Sequence, residues 1–388
     1  MTDRINVALL GSKFMGRAHS NAWLNVGKFF AVDPLPVMHT VVGRNAAELV
    51  AFADQWGWSQ ATTDWHSAVT SSEIGLVDVA TPNNVHAEQS IAALEAGKHV
   101  ACEKPLAGTL QDAEAMARAA AAASGSTFVW FNYRRVPAVA LAHQLVASGA
   151  LGRIYHVRAS YLQSWGGPDT PLLWRFQGDI AGSGAHGDLN AHIVDAVRFI
   201  TGEEITTVEG AIEHTFIKER EIIADGAGTS SSGAMGTSTV DDAVLFLARL
   251  SGGGLASFEA TRLATGYHNA NRFEIHGDKA ALRFDFERMN ELGFYDASGE
   301  GRTAGWTTID VTRGGDGHPY ADAWWPNSHG LGYEHGFVNQ AADILRVIGG
   351  GEPVVPIPDF ADALTTQRVL HAAIESARRR EPITISEL

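Results

Sequence analysis

The sequence has 388 residues and a formal net charge of −15, with 45% hydrophobic and 19% charged residues. This balance is typical of a globular protein with two or more domains. The negative charge disfavours binding to nucleic acid or to an anionic membrane surface, so neither partner is expected. Cys102 is the sole cysteine, which excludes an intrachain disulfide and a cysteine-based zinc site.

Targeting features are also sparse. No stretch approaches the roughly 20 apolar residues that a membrane helix requires. The first residues lack the long apolar core and small-residue cleavage site of a signal peptide. We therefore expect a soluble, cytoplasmic protein.

The first 131 residues alternate short apolar runs with helix-like segments. Strands are predicted at residues 5–10, 37–42, 76–80, 98–102 and 127–131, and helices at 15–26, 46–56, 85–96 and 110–123. Strand and helix alternating at this spacing predict a doubly wound parallel sheet of the Rossmann type. Ligands of such a sheet bind at the carboxyl ends of its strands.

The pattern changes after residue 131. Strands are predicted at residues 155–161, 208–216, 243–250, 254–260, 272–276 and 280–285, and helices at 137–148, 189–200, 334–348 and 359–380. Strands that follow one another without helices predict a large, mostly antiparallel open sheet. Residues 224–239 are rich in glycine and serine, which predicts a mobile loop.

These patterns place the chain in the α/β class with two domains. Residues 1–131 are predicted to form a dinucleotide-binding Rossmann domain. Residues 132–388 are predicted to form an α/β domain around the open sheet, with the C-terminal helix free to pack back on the first domain.

The first strand leads directly into Gly11-Ser12-Lys13-Phe14-Met15-Gly16. This segment is similar to the G-x-G-x-x-G fingerprint, with Lys13 in place of the second glycine. The first glycine supplies a tight turn, the third allows close helix–strand packing, and the helix N-terminus receives the pyrophosphate. We predict cofactor contacts from Gly11, Lys13, Phe14, Met15 and Gly16, with the charge of Lys13 available to neutralise phosphate.

The end of the second strand normally selects between NAD and NADP. An acidic residue there binds the ribose 2′-hydroxyl of NAD, whereas an arginine can bind the 2′-phosphate of NADP. The chain has Gly43-Arg44-Asn45 at this point and no carboxylate. Arg44 favours NADP weakly, but it could also stack on the adenine of either cofactor or lie in solvent, so the choice between NAD and NADP stays open.

Polar residues follow the third predicted strand as well. Thr81, Pro82 and Asn83 are predicted to line the cofactor, although an ordinary turn is an equal alternative. His86 and His19 lie on predicted helices, where packing is the favoured interpretation over ligand contact.

The next strand ends at Glu103-Lys104-Pro105, and four segments now form a pattern. They are Gly11–His19, Ala80–Asn83, Gly97–Pro105 and Gly187–Asp195, in that order. With them the chain resembles the Gfo/Idh/MocA family of oxidoreductases, named for glucose-fructose oxidoreductase, inositol dehydrogenase and rhizopine catabolism. The resemblance implies NAD(P)-dependent hydride transfer to or from a ring hydroxyl of a sugar, anhydrosugar or inositol. It also implies a homo-oligomer, a dimer or tetramer, supported by the open sheet of the second domain.

The resemblance assigns the catalytic set to Lys104, Asp188 and His192. Oxidation of an alcohol needs a base within reach of the hydroxyl proton and a cation that stabilises alkoxide character. Lys104 follows a core strand, and Asp188 and His192 are four residues apart on a predicted helix, so they share a face. By resemblance His192 is the proton acceptor, with Lys104 and Asp188 polarising the hydroxyl, but an exchange of roles between Lys104 and His192 stays open.

Further residues complete the predicted site. Those expected at the cofactor are Glu103, Trp174 and Arg175, and those expected at the substrate are Arg134, Tyr161, Gln163 and His335, with Trp165 as a stacking face. The histidine pairs 186/192 and 329/335 are six residues apart, which does not match a metal-ligand pattern, so no metal is predicted.

Two other functions keep the cofactor but change the outcome. Some members of the family use bound NAD for transient oxidation and elimination, which cleaves glycosidic bonds without accumulating NADH. A non-enzymatic sensor would bind dinucleotide without turnover, although its proton-transfer set is usually lost.

Overall fold

The structure is a computed structural model and describes residues 3–223, 231–299 and 301–388. The chain divides into two compact units. The first contains residues up to Pro137 together with Thr312–Leu364, and the second contains Ala138–Val311 together with Thr365–Leu388. This division places Thr312–Leu364 with the first unit, whereas the boundary drawn from the sequence after residue 131 assigns that segment to the second domain.

The first unit is built on a parallel sheet. Its elements up to residue 137 are β1 (Arg4–Leu10), α1 (Phe14–Phe29), β2 (Leu35–Val42), α2 (Ala46–Trp56), β3 (Gln60–Thr62), α3 (Trp65–Thr70), β4 (Leu76–Val79), α4 (His86–Glu95), β5 (His99–Cys102), α5 (Leu110–Ala122) and β6 (Thr127–Val129). The strand order is β3-β2-β1-β4-β5-β6, and every adjacent pair is parallel. This order confirms the predicted Rossmann sheet. The sequence prediction missed β3 and α3, which are too short to give a periodic signal.

The register of this sheet brings three predicted site segments to one edge. Leu10 pairs with Val79, and Val79 pairs with Cys102. The residues that follow these strand ends are therefore neighbours at the carboxyl edge, where ligands of doubly wound sheets bind. Gly11, Thr81 and Lys104 all follow these ends directly or within two residues.

The segment Thr312–Leu364 of the first unit packs against α1 and against the residues at and after the end of β6. It contains α9 (Tyr333–Ile348), which packs against α1. The Gln340 amide donates to the Val129 carbonyl at 2.7 Å, and the buried Arg135 guanidinium lies 3.4 Å from the Asp343 carboxylate. These buried polar contacts explain why a segment so distant in sequence belongs to the first unit.

The second unit is built on a larger sheet. Its elements are α6 (Pro137–Ala147), β7 (Ile154–Leu162), α7 (Gly178–Ala181), α8 (Ala191–Thr201), β8 (Ile205–His214), β9 (Glu219–Ile223), β10 (Ser231–Thr237), β11 (Ala243–Leu250), β12 (Leu255–Thr261), β13 (Ala270–Gly277), β14 (Ala280–Asp285), β15 (Glu291–Asp296), β16 (Trp306–Asp310), α10 (Phe360–Arg379) and β17 (Ile383–Thr384). Within the described ranges the main sheet has the order β16-β15-β14-β13-β7-β12-β11-β8-β17. Its pairs are antiparallel except β7 with β12, which confirms the mostly antiparallel sheet. The boundary between the units falls inside α10.

Two predictions for the second unit need correction. Residues 231–237 of the predicted mobile loop form β10, which pairs antiparallel with β9. Backbone pairing overrides the glycine- and serine-rich composition there, and residues 224–230 lie outside the described part of the chain. The predicted helix at 189–200 is preceded by a π-helical turn, His186–Asn190, before α8 begins at Ala191. Asp188 lies in that turn and His192 lies in α8, so the two residues are not on one regular α-helix as predicted.

The helices in the described part of the chain agree with the prediction that no segment is long and apolar enough for a membrane helix. Among the residues that the structure describes, no helix combines the length and the apolarity needed to cross a membrane.

Candidate active site

The glycine loop after β1 has the close contacts that a dinucleotide fingerprint requires. Gly11 has φ +113°, and a Cβ there would lie 2.4 Å from the carbonyl oxygen of Ala80. A Cβ on Gly16 would lie 2.3 Å from the carbonyl oxygen of Gly11. No acidic residue occupies the first turn of α1, which leaves its N-terminal amides favourable for an anion. The loop therefore fits a pyrophosphate.

Lys13 and Arg44 lie at the surface beside the end of β2. The Lys13 ammonium donates to the Glu48 carboxylate at 2.6 Å, and this hydrogen bond lowers the pKa of Glu48. The side chain of Asn45 caps α2 and also donates to Glu48 at 3.0 Å. Glu48 was not predicted from the sequence, because it lies in the first turn of α2 and not at the end of β2, where the selecting carboxylate is normally found.

The segment after β4 is anchored by buried side chains. The Thr81 hydroxyl donates to Gln89 at 2.7 Å, and Pro82 and Asn83 begin a short 3₁₀ turn. The ring of His86 is buried, with nitrogens 2.9 Å from the Thr81 carbonyl and 3.2 Å from the Pro105 carbonyl. His86 thus ties the segment after β4 to the segment after β5.

Lys104 is half-buried directly after β5, and its peptide bond to Pro105 is cis. Its backbone N–H donates to the Glu103 carboxylate at 3.0 Å. Glu103 is itself buried, and its other oxygen lies 3.0 Å from His19 Nε2. The structure therefore uses Glu103 to hold the backbone of Lys104, and its direct contact with a cofactor stays a prediction.

A buried charged cluster lies behind Lys104. His19 Nδ1 lies 3.0 Å from the Asp78 carboxylate, which also accepts from the indoles of Trp23 at 2.7 Å and Trp130 at 2.9 Å. With Glu103 on the other ring nitrogen, His19 bridges α1, β4 and the end of β5. We call His19, Asp78 and Glu103 the histidine bridge.

The electrostatics of the histidine bridge favour an ionised imidazole. Burial lowers the pKa of His19, but the carboxylates of Asp78 and Glu103 outweigh that effect and raise the pKa to about 9. Both ring nitrogens then donate, each to a carboxylate. Packing was the predicted role of His19, and its contact with Glu103 was not predicted.

Asp188 is held by an arginine that follows β12. Arg262 Nη2 donates to the Asp188 carboxylate at 2.9 Å. The Arg262 side chain is 1% exposed, whereas that of Asp188 is 24% exposed. The carboxylate therefore reaches the surface of the second unit while its cationic partner lies beneath it. Arg262 was not predicted, and its one signal in the sequence is a charge immediately after a strand.

His192 lies beside a chain of hydrogen-bonding side chains in the second unit. Its ring centroid is 5.8 Å from that of Tyr161, and the Tyr161 hydroxyl donates to Asn269 at 2.6 Å. The Gln163 amide also donates to Asn269, at 2.7 Å, and the Trp165 indole donates to Gln163 at 2.6 Å. The amides of Gln163 and Asn269 can hydrogen-bond sugar hydroxyls, and the partly exposed indole of Trp165 can stack on a sugar ring. Asn269 was not predicted.

The other predicted residues have clear anchors. Arg134 donates to Asp362 at 2.5 Å, and Gly332 N–H donates to His335 Nδ1 at 3.0 Å, which caps α9. The guanidinium of Arg175 lies 4.4 Å from the ring centroid of Trp174. These contacts give Arg134 and His335 structural roles in the first unit, and their substrate contacts stay predictions.

Metal ligation finds no support in the described ranges. No three histidine, cysteine, aspartate or glutamate side chains there form a group that could hold a metal ion.

Comparison with known proteins gives the following matches. Residues 5–131 match the model of an oxidoreductase family with an NAD-binding Rossmann fold, and residues 139–283 match the GFO/IDH/MocA C-terminal domain. The chain is 40% identical to levoglucosan dehydrogenase of Pseudarthrobacter phenanthrenivorans, over 100% of this chain and 99% of that protein.

Two solved structures are similar over nearly the whole chain. An oxidoreductase domain protein from Kribbella flavida is 48% identical, with a TM-score of 0.92 and coverage of 99% of this chain and 100% of that one. A levoglucosan dehydrogenase in complex with NADH and levoglucosan is 38% identical, with a TM-score of 0.91 and coverage of 100% of both chains.

Proposed function

The chain belongs to the GFO/IDH/MocA family of oxidoreductases, and from that premise we propose that it is an NAD-dependent dehydrogenase of an anhydrosugar, with levoglucosan as its substrate. The observation that carries this proposal is the full-length similarity to levoglucosan dehydrogenase. The chain also has each residue of the proton-transfer set, Lys104, Asp188 and His192.

The glycine loop supports binding of the dinucleotide by Gly11, Gly16 and the first turn of α1. We propose NAD over the NADP that Arg44 weakly favoured. Relatives of known structure contain NADH. Glu48 also places a carboxylate in the first turn of α2, close to the end of β2, where an acidic group suits a ribose hydroxyl.

In the proposed reaction, bound NAD supplies the hydride acceptor. His192 accepts the hydroxyl proton, and the Lys104 ammonium stabilises the negative charge that develops on the sugar oxygen. Asp188 accepts a hydrogen bond from Arg262, and the role of proton acceptor goes to His192. Tyr161, Gln163 and Trp165 orient the sugar. Arg134 and His335 are proposed as further contacts of the sugar, and Trp174 and Arg175 as contacts of the cofactor.

The experiment is oxidation of a substrate panel by the purified chain. NADH absorbance is followed with NAD or NADP and with levoglucosan, myo-inositol, glucose or an aryl glycoside. We expect NADH to accumulate with levoglucosan and NAD. Phenol release from the aryl glycoside without NADH would favour the elimination mechanism, and NAD binding without any turnover would favour a sensor.

Gly11→Ala provides a test of the cofactor loop. The added methyl group meets the Ala80 carbonyl, and the positive φ adds strain of about 1–3 kcal/mol. We expect NAD affinity to fall at least about tenfold, which corresponds to about 1.4 kcal/mol. Gly57→Ala is the matched control, since Gly57 has φ +81° with open space around it. Equal NAD affinity in the two variants, measured by fluorescence titration, would contradict this role for the loop.

We also propose that the open sheet pairs with a second copy of the chain. Leu245, Leu247 and Ile212 are exposed on adjacent strands of one face, and Arg158 and Glu274 lie 3.3 Å apart on the same sheet. A face with apolar residues and both signs of charge is suited to a self-complementary, two-fold interface.

Since NAD is a soluble intracellular cofactor, we propose the cytoplasm as the compartment.

Leu247→Arg is expected to shift the chain towards the monomer in analytical ultracentrifugation. The substitution places a charge in the middle of the apolar face, at a side chain that is 59% exposed in one copy. Val50→Arg is the control, because Val50 is 54% exposed on α2 of the other unit. An unchanged oligomer in the Leu247 variant, or a wild-type monomer, would refute the proposed interface.

A further inference from the structure

Arg262 joins three parts of the proposed substrate site. Its Nη2 donates to Asp188 at 2.9 Å, and its Nη1 donates to the backbone carbonyl of Arg175 at 3.1 Å. Its guanidinium lies 4.9 Å from the ring centroid of Trp165. One buried cation therefore contacts the carboxylate, the turn that carries Trp174 and Arg175, and the indole proposed to stack on sugar.

The backbone of Arg262 is fixed as firmly as its side chain. Its N–H donates to the Asp242 carbonyl at 3.2 Å, and its carbonyl accepts from Gly166 N–H at 3.1 Å. A Cβ on Gly166 would approach the Arg262 Cβ to 2.9 Å, so the loop after Trp165 lies directly on this residue. A buried guanidinium with these restraints has few alternative rotamers, and it fixes the direction of its carboxylate partner.

We infer that Arg262 is a positioning residue for the dehydrogenation, and that it holds the Asp188 carboxylate ionised and directed at the substrate. The inference rests on the proposed function. It also explains why Asp188 is suited to accept a hydrogen bond and not to remove the proton, because a carboxylate paired with a buried guanidinium resists protonation.

Other charged and titratable side chains lie on the elements packed against the π-helical turn. They include Tyr161 on β7, His192 and Asp195 on α8, Glu259 on β12, Asp241 and Asp242 before β11, and His186 within the turn. Asp241 accepts from the backbone N–H groups of Gly184 and His186, and Asp242 contacts Arg220 at 3.4 Å. Arg262 contacts Asp188 directly, with its Nη2 atom 2.9 Å from the carboxylate.

Arg220 offers a matched control. It is equally buried, and its guanidinium lies 3.6 Å from the ring centroid of Phe176. It donates to the carbonyls of Gly166, Gly167 and Thr170, so it supports the same loop, while its carboxylate partner is Asp242. If activity is lost because the loop at residues 166–170 is disturbed, the loss will appear in variants of both arginines. If activity is lost through Asp188, the loss will appear only in the variant of Arg262.

The test compares Arg262→Met, Arg262→Lys and Arg220→Met in steady-state oxidation of levoglucosan by NAD. We expect Arg262→Met to lower kcat/KM for the sugar about 10²-fold, as for loss of one preorganised electrostatic contact. The KM for NAD should change less than about twofold, which is well below one tenfold step in affinity. Arg262→Lys should recover part of the loss, because the ammonium keeps the charge.

The pH profile and a double variant separate positioning from packing. With methionine at position 262, Asp188 takes up a proton at a higher pH, so the acidic limb of kcat/KM moves upward in pH. In an Asp188→Asn background the same substitution should have little further effect on kcat/KM. A double-mutant cycle can also be built from the thermal unfolding temperatures of wild type, Arg262→Met, Asp188→Asn and the double variant. This cycle measures the coupling between Arg262 and Asp188 without substrate.

The outcomes are distinct. Equal losses in Arg262→Met and Arg220→Met, or additive effects of Arg262→Met and Asp188→Asn on kcat/KM, would overturn the positioning role. A wild-type chain that oxidises no sugar would refute the proposed function instead, and the unfolding cycle would still decide whether the two side chains are coupled.

Discussion

Lys104→Met is expected to lower kcat by about 10²–10⁴-fold, the usual contribution of a positioned proton-transfer or charge-stabilising group. The methionine side chain keeps most of the length and apolar volume of lysine but cannot carry charge. The backbone N–H of residue 104 can still donate to Glu103, so the turn after β5 should persist. The loss should therefore appear in kcat, with NAD affinity changed little.

Lys98→Met is the matched control for Lys104. Lys98 immediately precedes β5 whereas Lys104 follows it, and its ammonium donates to the Ser71 carbonyl at 2.6 Å. Its loss should cost about 1 kcal/mol of stability, as for one hydrogen bond, with kcat unchanged. Single-turnover kinetics measure the chemical step directly. Full activity of Lys104→Met would remove Lys104 from the proposed mechanism.

His19→Gln is expected to have the largest effect on stability. Removing the buried cation leaves Asp78 and Glu103 buried without the charge between them, and breaking such a buried pair costs about 3–5 kcal/mol. The midpoint of urea unfolding should fall accordingly at pH 7. Since Glu103 also holds Lys104, we expect kcat to fall in any variant that still folds.

The pH dependence of the histidine bridge follows from the raised pKa. Burial lowers the pKa of His19, but Asp78 and Glu103 raise it to about 9, against an ordinary value of 6.5. The stabilising contribution is therefore complete below pH 6.5 and is lost as pH rises through about 9. A difference of that size corresponds to about 3 kcal/mol of unfolding free energy.

His86→Gln is the control for this pH dependence. His86 is also fully buried in the first unit, but burial lowers its pKa, so it contributes no cation above neutral pH. Urea unfolding of wild type and His86→Gln should show the same loss of stability between pH 6.5 and 9, and His19→Gln should lack it. A pH slope that survives in His19→Gln would contradict an ionised His19.

The sequence predicted the parts of the site that sit at strand ends. Gly11 and Lys104 each follow an apolar run, so their positions at the carboxyl edge could be derived from the alternation of strands and helices. A buried polar cluster could also have been predicted from Asp78, because a carboxylate within the apolar strand Leu76-Val77-Asp78-Val79 needs buried hydrogen-bonding partners. The identity of those partners, His19 on α1 and the indoles beside it, depends on packing that periodicity does not encode.

Other features left weaker traces in the sequence. The π-helical turn that carries Asp188 changes backbone hydrogen bonding without altering the apolar pattern, so a regular helix was predicted instead. Arg262 and Asn269 lie next to strands far along the chain from Asp188 and Gln163. The register of β13 against β7 places Asn269 beside Gln163, and the packing of β12 against the π-helical turn places Arg262 beside Asp188. Local sequence determines neither.

The most direct test of the proposed function is the stoichiometry of levoglucosan oxidation by the wild-type chain with NAD. Sugar consumption is measured by chromatography and NADH by absorbance in the same reaction. The proposed dehydrogenase forms one NADH for each levoglucosan consumed. Sugar consumption without NADH, or no consumption by a chain that binds NAD, would contradict it.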